Sequence, residues 1–317
     1  MPTVWLMEDD RAGNVSQLLG VAEALGWDFE EKKIEYTKWV KLPNLVRGSS
    51  TIGIKNESLD LLTAPYPDVV IGAGRRIFPL LRWIKKKSKG RTKIVQLMNP
   101  SAPFRYADLI VLPIHDGYKG SAKNVLQTVG APHRVTREKL DEHKPKWENV
   151  LGKMPAPRVS VIVGGPTKNA PFTKQMAQSL GLGVLDLSPA SIMVTTSRRT
   201  PAEVVDTLKS IFPKEKTFFY QYGDEGENPY FGLLAWADKI VVTGDSMSMC
   251  SESCAAGVPV FIFAPEGTAG QKHMRFHNQL YQGGYAMPLG SGRTAFGSPL
   301  NASTEVAEKI KSLFIEQ

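Results

Sequence analysis

Residues 239–265 read Lys-Ile-Val-Val-Thr-Gly-Asp-Ser-Met-Ser-Met-Cys-Ser-Glu-Ser-Cys-Ala-Ala-Gly-Val-Pro-Val-Phe-Ile-Phe-Ala-Pro. The apolar run Ile240 to Val242 predicts a buried strand, and Thr243, Gly244, Asp245 and Ser246 a tight turn of small residues. A short helix carrying Ser251 and Glu252 follows and stops at Gly257. Pro259 then leads into a second buried strand, Val260 to Phe263. A turn at a helix start offers unpaired backbone N–H groups and hydroxyls, which suits a phosphate. Glu252 falls about two turns further along, within reach of ribose hydroxyls if a nucleotide crosses the helix start. The same strand–turn–helix–strand unit is also ordinary α/β punctuation.

The spacing is more specific than the punctuation. Ser251-Glu252, four residues, Gly257, one residue and Pro259 resemble the nucleotide-binding segment of GT-B glycosyltransferases. The resemblance implies Glu252 as the ribose ligand. It also implies the turn at Gly244, Asp245 and Ser246, with Met247 and Ser248, as the face toward the diphosphate.

Composition sets the frame. A chain of 317 residues is long for one core and suits two domains. With 42% apolar and 22% charged residues it has the balance of a soluble globular protein. No run of apolar residues is long enough to span a membrane, and the start lacks the basic and apolar regions of a signal peptide. Cys250 and Cys254 lie four apart in one predicted helix, which suits packing residues in a reducing, cytoplasmic setting rather than a disulfide. No His and Cys cluster forms a metal site.

Charge is unevenly placed. Residues 1–150 hold 24 Lys and Arg against 17 Asp and Glu, whereas residues 151–317 hold 15 against 14. The excess peaks at Arg82, Lys85, Lys86, Lys87, Lys89, Arg91 and Lys93. Such a run is either a solvated helix end or a surface for an anionic membrane or acidic glycan, placing the protein at the inner face of a membrane. It has no interleaved aromatics and no nucleic-acid module, so nucleic acid is not expected as a partner.

The first half alternates strand and helix signals. These are Val4–Met7, then a helix from Asn14 to Leu25, a polar strand within 28–36, Val69–Gly72, a helix from Ile77 to Lys86, Ile94–Leu97 and Leu109–Leu112. A charged segment, Thr136 to Lys153, and Pro155-Ala156-Pro157 mark a boundary. The pattern restarts with Val159–Val163, Ser191–Thr195, Phe218–Tyr220 and the motif above. An amphipathic helix, Ser303 to Phe314, closes the chain. The expected fold is α/β: two Rossmann-like domains, 1–153 and 154–317, with parallel sheets facing a cleft.

Candidate chemistry sits at strand ends. In the first half these are Asp9, Asp10, Gly13, Asn14 and Gln17 after the first strand, Arg75 after Gly72-Ala73-Gly74, Asn99, and His115. Asp10 and His115 are the candidate bases, although Asp10 or Asn14 could equally cap the helix. In the second half, Gly165 and Thr167 follow the first strand, and Arg199 is placed to neutralise a diphosphate. Lys272, with Arg275 and His277, follows a glycine-flanked stretch, Gly267 to Gly270, that reads as a mobile loop. No Asp-x-Asp motif ends a strand in the second half, so no obligatory metal or cofactor is expected.

The segments Trp5 to Gly26, Asp68 to Arg76, Val95 to Pro100, Asp108 to Asp116, Val163 to Thr167, Thr195 to Pro201 and Arg275 to Asn278, with the opening motif, are similar to the ELM-type mitochondrial fission family. That family includes many bacterial proteins assigned as glycosyltransferases. Many members look like Gly-His where this chain has Gly13-Asn14, and asparagine takes no proton. The resemblance implies a GT-B-like transferase that moves a sugar from a nucleoside diphosphate-sugar to a hydroxyl, with the first domain on the acceptor side and the second on the donor side. The alternatives it leaves open are a nucleotide-binding scaffold without turnover and a sugar-nucleotide epimerase.

Overall fold

A computed structural model describes residues 1–167, 170–266, 270–292 and 299–315. The chain forms two compact units, residues 1–134 with 301–317 and residues 135–300.

The first unit opens with β1 (Val4–Glu8), α1 (Ala12–Leu25), β2 (Phe29–Lys33), the single-turn helices α2 (Asn44–Arg47) and α3 (Asn56–Leu59), β3 (Val69–Ala73), α4 (Phe78–Lys87), β4 (Lys93–Leu97), β5 (Leu109–Pro113) and β6 (Val125–Thr128). All six strands are parallel, in the order β2-β1-β3-β4-β5-β6. β3 and β5 are buried along their whole length, as strands covered by helices on both faces must be. Strand alternation divides β1 between two layers: Val4 and Leu6 pack with α1, and Trp5 and Met7 with α4. The chain turns from β1 to β2 on one side and continues from β3 on the other, so the C-terminal ends of β1 and β3 form the switch point where α/β sheets open a ligand crevice.

The second unit contains α5 (Arg137–His143), β7 (Arg158–Val163), α6 (Lys174–Leu185), β8 (Ser191–Thr196), α7 (Ala202–Ile211), β9 (Thr217–Tyr220), α8 (Tyr230–Trp236), β10 (Lys239–Thr243), α9 (Met247–Cys254), β11 (Val260–Phe263), α10 (Gln271–Gln282) and the two-residue β12 (Met287–Pro288). Its sheet is parallel in the order β12-β11-β10-β7-β8-β9. Here the switch point lies between the C-terminal ends of β7 and β10.

The chain then returns to the first unit with α11 (Ala302–Ile315). Val306, Ala307 and Ile310 of α11 join Leu18, Val21 and Leu25 of α1 in one core, and Phe314 meets Trp27 edge-on at 5.4 Å. The amphipathic face read from the sequence is therefore satisfied by the opposite end of the chain. The grouping differs from the boundary at 153 in the other direction as well. Residues 135–152 pack with the second unit: Trp236 Nε1 donates to the Lys144 carbonyl at 2.9 Å, and a Cβ on Gly232 would come within 2.4 Å of the Trp147 ring. Leu140, Trp147 and Leu151 carry this packing between charges, so composition alone made the segment look like a linker.

Candidate functional site

In the first unit, the switch point gathers the acidic end of β1. Asp9 is 3% exposed at its side chain and takes hydrogen bonds from Arg11 N (3.0 Å), Asn14 Nδ2 (2.9 Å) and Arg76 Nη2 (2.8 Å). Asp9, not Asn14, anchors the start of α1, and Asn14 is spent on holding it. Asp10 is 68% exposed and pairs with the same Arg76. That hydrogen bond holds its carboxyl below the ordinary value of 3.8. Asp10 is thus an ionised, weakly basic group.

Sequence reading missed the more basic carboxylate beside it. Glu8 ends β1, is only 5% exposed, and lines a pocket of about 710 Å3 with Asp9, Asp10, Tyr36 and Arg76. Burial, then the hydrogen bond and charge of Glu31, raise its pKa to about 7, with Lys33 opposing. The signal was present: Glu8 continues the apolar run Val4–Met7 as the last residue of a strand buried on both faces.

Other first-unit candidates divide. Arg75 is exposed on the turn after β3, whose backbone is clamped by Asn44 Nδ2 on the Arg75 carbonyl (2.6 Å) and Arg47 Nη1 on the Arg76 carbonyl (2.8 Å). Gly13 is exposed and Gln17 buried on α1. Asn99 accepts from Ser101 N at 2.8 Å and so forms a turn. His115 is 2% exposed after β5, three strand positions from β1, roughly 14 Å away. The structure therefore separates His115 from Asp10, and His115 is not among the residues that line the pocket beside Asp10.

In the second unit, the two glycine turns meet around one carboxylate. Asp245 accepts from Gly165 N (3.0 Å), Thr243 Oγ1 (2.6 Å) and Arg199 Nη2 (2.7 Å), while Thr243 Oγ1 accepts from Gly164 N (2.7 Å). A Cβ on Gly164 would lie 2.1 Å from Asp245 Oδ1, and one on Gly165 2.4 Å from the Arg199 carbonyl oxygen, so these glycines permit the approach. This corrects the expected roles. Gly165 N donates to Asp245, Arg199 divides its donors between Asp245 and the carbonyls of Gly165 and Pro166, and a carboxylate repels rather than binds a phosphate. Asp245 is the post that ties the three strand ends together. The cavity left beneath it, lined by Gly165, Thr167, Gly244 and Phe172, is about 20 Å3, enough for one water.

The helix start remains open. Ser246 Oγ caps α9 through Met249 N at 3.3 Å, leaving the N–H groups of Met247 and Ser248 without an intrahelical acceptor. Along the same helix, Glu252 Oε2 accepts from Tyr230 Oη at 2.5 Å. Burial and the Glu252 charge push the Tyr230 phenol well up, so it stays a donor and orients the carboxylate. His277 of α10 lies under the turn, its Nε2 2.9 Å from the Gly244 carbonyl, and a Cβ on Gly244 would come 2.5 Å from its ring. Burial lowers the His277 pKa, so the neutral ring donates there. Lys272 is exposed in the first turn of α10, while the loop read at Gly267 to Gly270 falls on residues 267–269, outside the described residues.

The family model for mitochondrial fission ELM1 matches residues 12–314. An uncharacterised protein of Rickettsia prowazekii is 31% identical over 97% of both chains. The mitochondrial fission protein ELM1 of Arabidopsis thaliana is 26% identical over 82% of this chain and 66% of its own length. Among solved structures, the UDP-GlcNAc 2-epimerase of Methanocaldococcus jannaschii in complex with UDP-GlcNAc and UDP matches with a TM-score of 0.52 at 13% identity, covering 99% of this chain and 100% of its own. UGT2 of Phytolacca americana, complexed with UDP-2-fluoro-glucose and pterostilbene, matches with a TM-score of 0.52 at 12% identity, covering 98% and 89%. At these identities the structural likeness is one of fold, the GT-B-like pairing of two Rossmann-type units. The chain belongs to the mitochondrial fission ELM1 family.

Proposed function

We propose that this protein is a GT-B-type glycosyltransferase that moves a sugar from a nucleoside diphosphate donor to a hydroxyl acceptor of the cell envelope, a glycan or glycolipid. The carrying observation is the start of α9: open N–H groups at Met247 and Ser248, with the Tyr230-oriented Glu252 further along the same helix. In this reading the diphosphate sits on the N–H groups and the helix dipole, and the ribose hydroxyls donate to Glu252. Asp245 keeps the turn rigid, with His277 beneath it. Lys272 balances the charge of the departing diphosphate.

Glu8 acts as the base. It takes the proton of the acceptor hydroxyl as that oxygen bonds to the anomeric carbon, and the bond from this carbon to the diphosphate oxygen breaks, its electron pair leaving with the nucleotide. A group with a pKa near 7 is better matched to this task than Asp10, whose pairing with Arg76 weakens it as a base. Arg76 and Asp10 instead face the acceptor from the rim of the same pocket.

Incubation with labelled UDP-, GDP-, ADP- and CMP-sugars tests the reading. Because the similar solved structures were obtained with UDP compounds, UDP-sugars are the first choice. Transfer or hydrolysis is the expected result. Interconversion of the sugar assigns the chain to the epimerases instead, and binding without turnover makes it a nucleotide-binding scaffold. The scaffold reading has one observation in its favour: Asp9, Asp10, Asn14 and Arg76 satisfy one another.

A further inference from the structure

The basic run of the first unit folds into a pocket the proposed reaction does not use. Arg82, Lys85, Lys86, Lys89, Arg105, Tyr106 and Ser49 line a hollow of about 480 Å3 floored by Ile94. Two guanidinium groups cover one ring: Arg82 lies 3.8 Å and Arg105 4.9 Å from the centre of Tyr106. Lys85 is neutralised by Asp108 at 2.6 Å, whereas Arg82, Lys86, Lys89 and Arg105 form no ion pair among the described residues. Lysines in the last turn of α4 complement the helix dipole, but Lys89 and Arg105 lie beyond that helix and need another cause. Converged cations without carboxylates repel one another, and a phosphate ester between them removes that cost.

The neighbouring segment adds an apolar element. Arg82 Nη1 donates to the Gly48 carbonyl at 3.0 Å and so holds the C-cap of α2 at this pocket. On α2, Leu45 is 79% and Val46 67% exposed. Exposed aliphatic tips beside a cationic pocket gain nothing from a soluble glycan or RNA, but they do gain from the acyl boundary of a bilayer. We propose that this face docks the protein on an anionic membrane surface, with a lipid phosphate in the Arg82–Arg105 pocket and Leu45 and Val46 in the acyl boundary.

Co-sedimentation of the full chain with vesicles of phosphatidylcholine, with and without phosphatidylserine, tests it at low and high salt. Binding should require the anionic lipid and fall steeply with salt. Each cation removed should cost about fivefold in partitioning, so the triple variant Lys86→Ala/Lys89→Ala/Arg105→Ala should lose about a hundredfold. Leu45→Ser/Val46→Ser should lose about tenfold at both salt concentrations, because apolar insertion is not screened. All substituted side chains are solvent-exposed, and unchanged circular dichroism melting verifies that the variants fold. Equal binding to neutral vesicles, or no loss in the triple variant, overturns the proposal. Heparin or RNA binding without vesicle binding assigns the patch to a soluble polyanion and overturns it too. A charge effect without an effect of Leu45→Ser/Val46→Ser overturns the insertion of α2. None of these readouts depends on a nucleotide or on turnover.

Discussion

Glu8 and His277 show how burial sets a group's task. Glu8→Gln removes the proposed base while keeping its size. Turnover is expected to fall by roughly 10^2- to 10^4-fold with nucleotide affinity unchanged, and the rate of the unaltered protein should rise through pH 7 as Glu8 ionises. Normal turnover by Glu8→Gln with loss in Asp10→Asn would return the role to Asp10. The same shift has a stability consequence. A carboxyl raised from 4.5 to about 7 binds more protons folded than unfolded, so its contribution is complete below pH 4.5 and is lost as pH rises toward 7. Urea denaturation across that range should show Glu8→Gln with a flatter decline. His277 acts in the opposite sense. Its pKa is depressed below 6.5, so its contribution is present above that pH and is lost on acidification. His277→Gln, which keeps a donor for the Gly244 carbonyl, should remove that acid-side loss; an unaltered pH profile would mean the ring does not titrate with unfolding.

At the scale of elements, the strand–turn–helix units were legible because each rests on a local pattern. Buried parallel strands appear as apolar runs such as Val69–Ala73, and the turns after β1, β7 and β10 are marked by small and polar residues. Short or weakly patterned elements were not legible: β12 has two residues, β6 is half-exposed, and α10 buries only Phe276, His277 and Leu280 among polar neighbours. Nor were the pairings that define the site, since Arg199–Asp245, Arg76–Asp10 and Tyr230–Glu252 join residues 46, 66 and 22 positions apart. Two substitutions test the element-level account. Gly165→Ala forces a Cβ against the Arg199 carbonyl and should cost about 1–3 kcal/mol while weakening nucleotide binding. Ile310→Ala in α11 should cost about 2–5 kcal/mol of stability without altering nucleotide affinity, because its contacts lie in the core shared with α1. Equal denaturation midpoints for Ile310→Ala and the parent would contradict the docking of α11.

For the whole molecule, the proposed reaction divides its tasks between the two units: an acidic switch point that holds the proposed base in one and a helix start proposed to hold the nucleotide in the other. Variants at Glu8 should therefore affect turnover and leave nucleotide affinity unchanged, and variants along α9 should affect binding. The charge asymmetry between the halves, +7 against +1, belongs to the cationic pocket around Arg82 and Lys89 and not to either switch point. Everything proposed about the reaction rests on nucleotide binding at α9, and calorimetric titration of UDP into the unaltered protein and Glu252→Ala tests it most directly. The account predicts saturable one-site binding that weakens by about 1.5–3 kcal/mol in the variant, the range for a charge-assisted hydrogen bond. Equal affinity in the two proteins, or no binding of UDP, GDP, ADP or CMP to the unaltered chain, would contradict it.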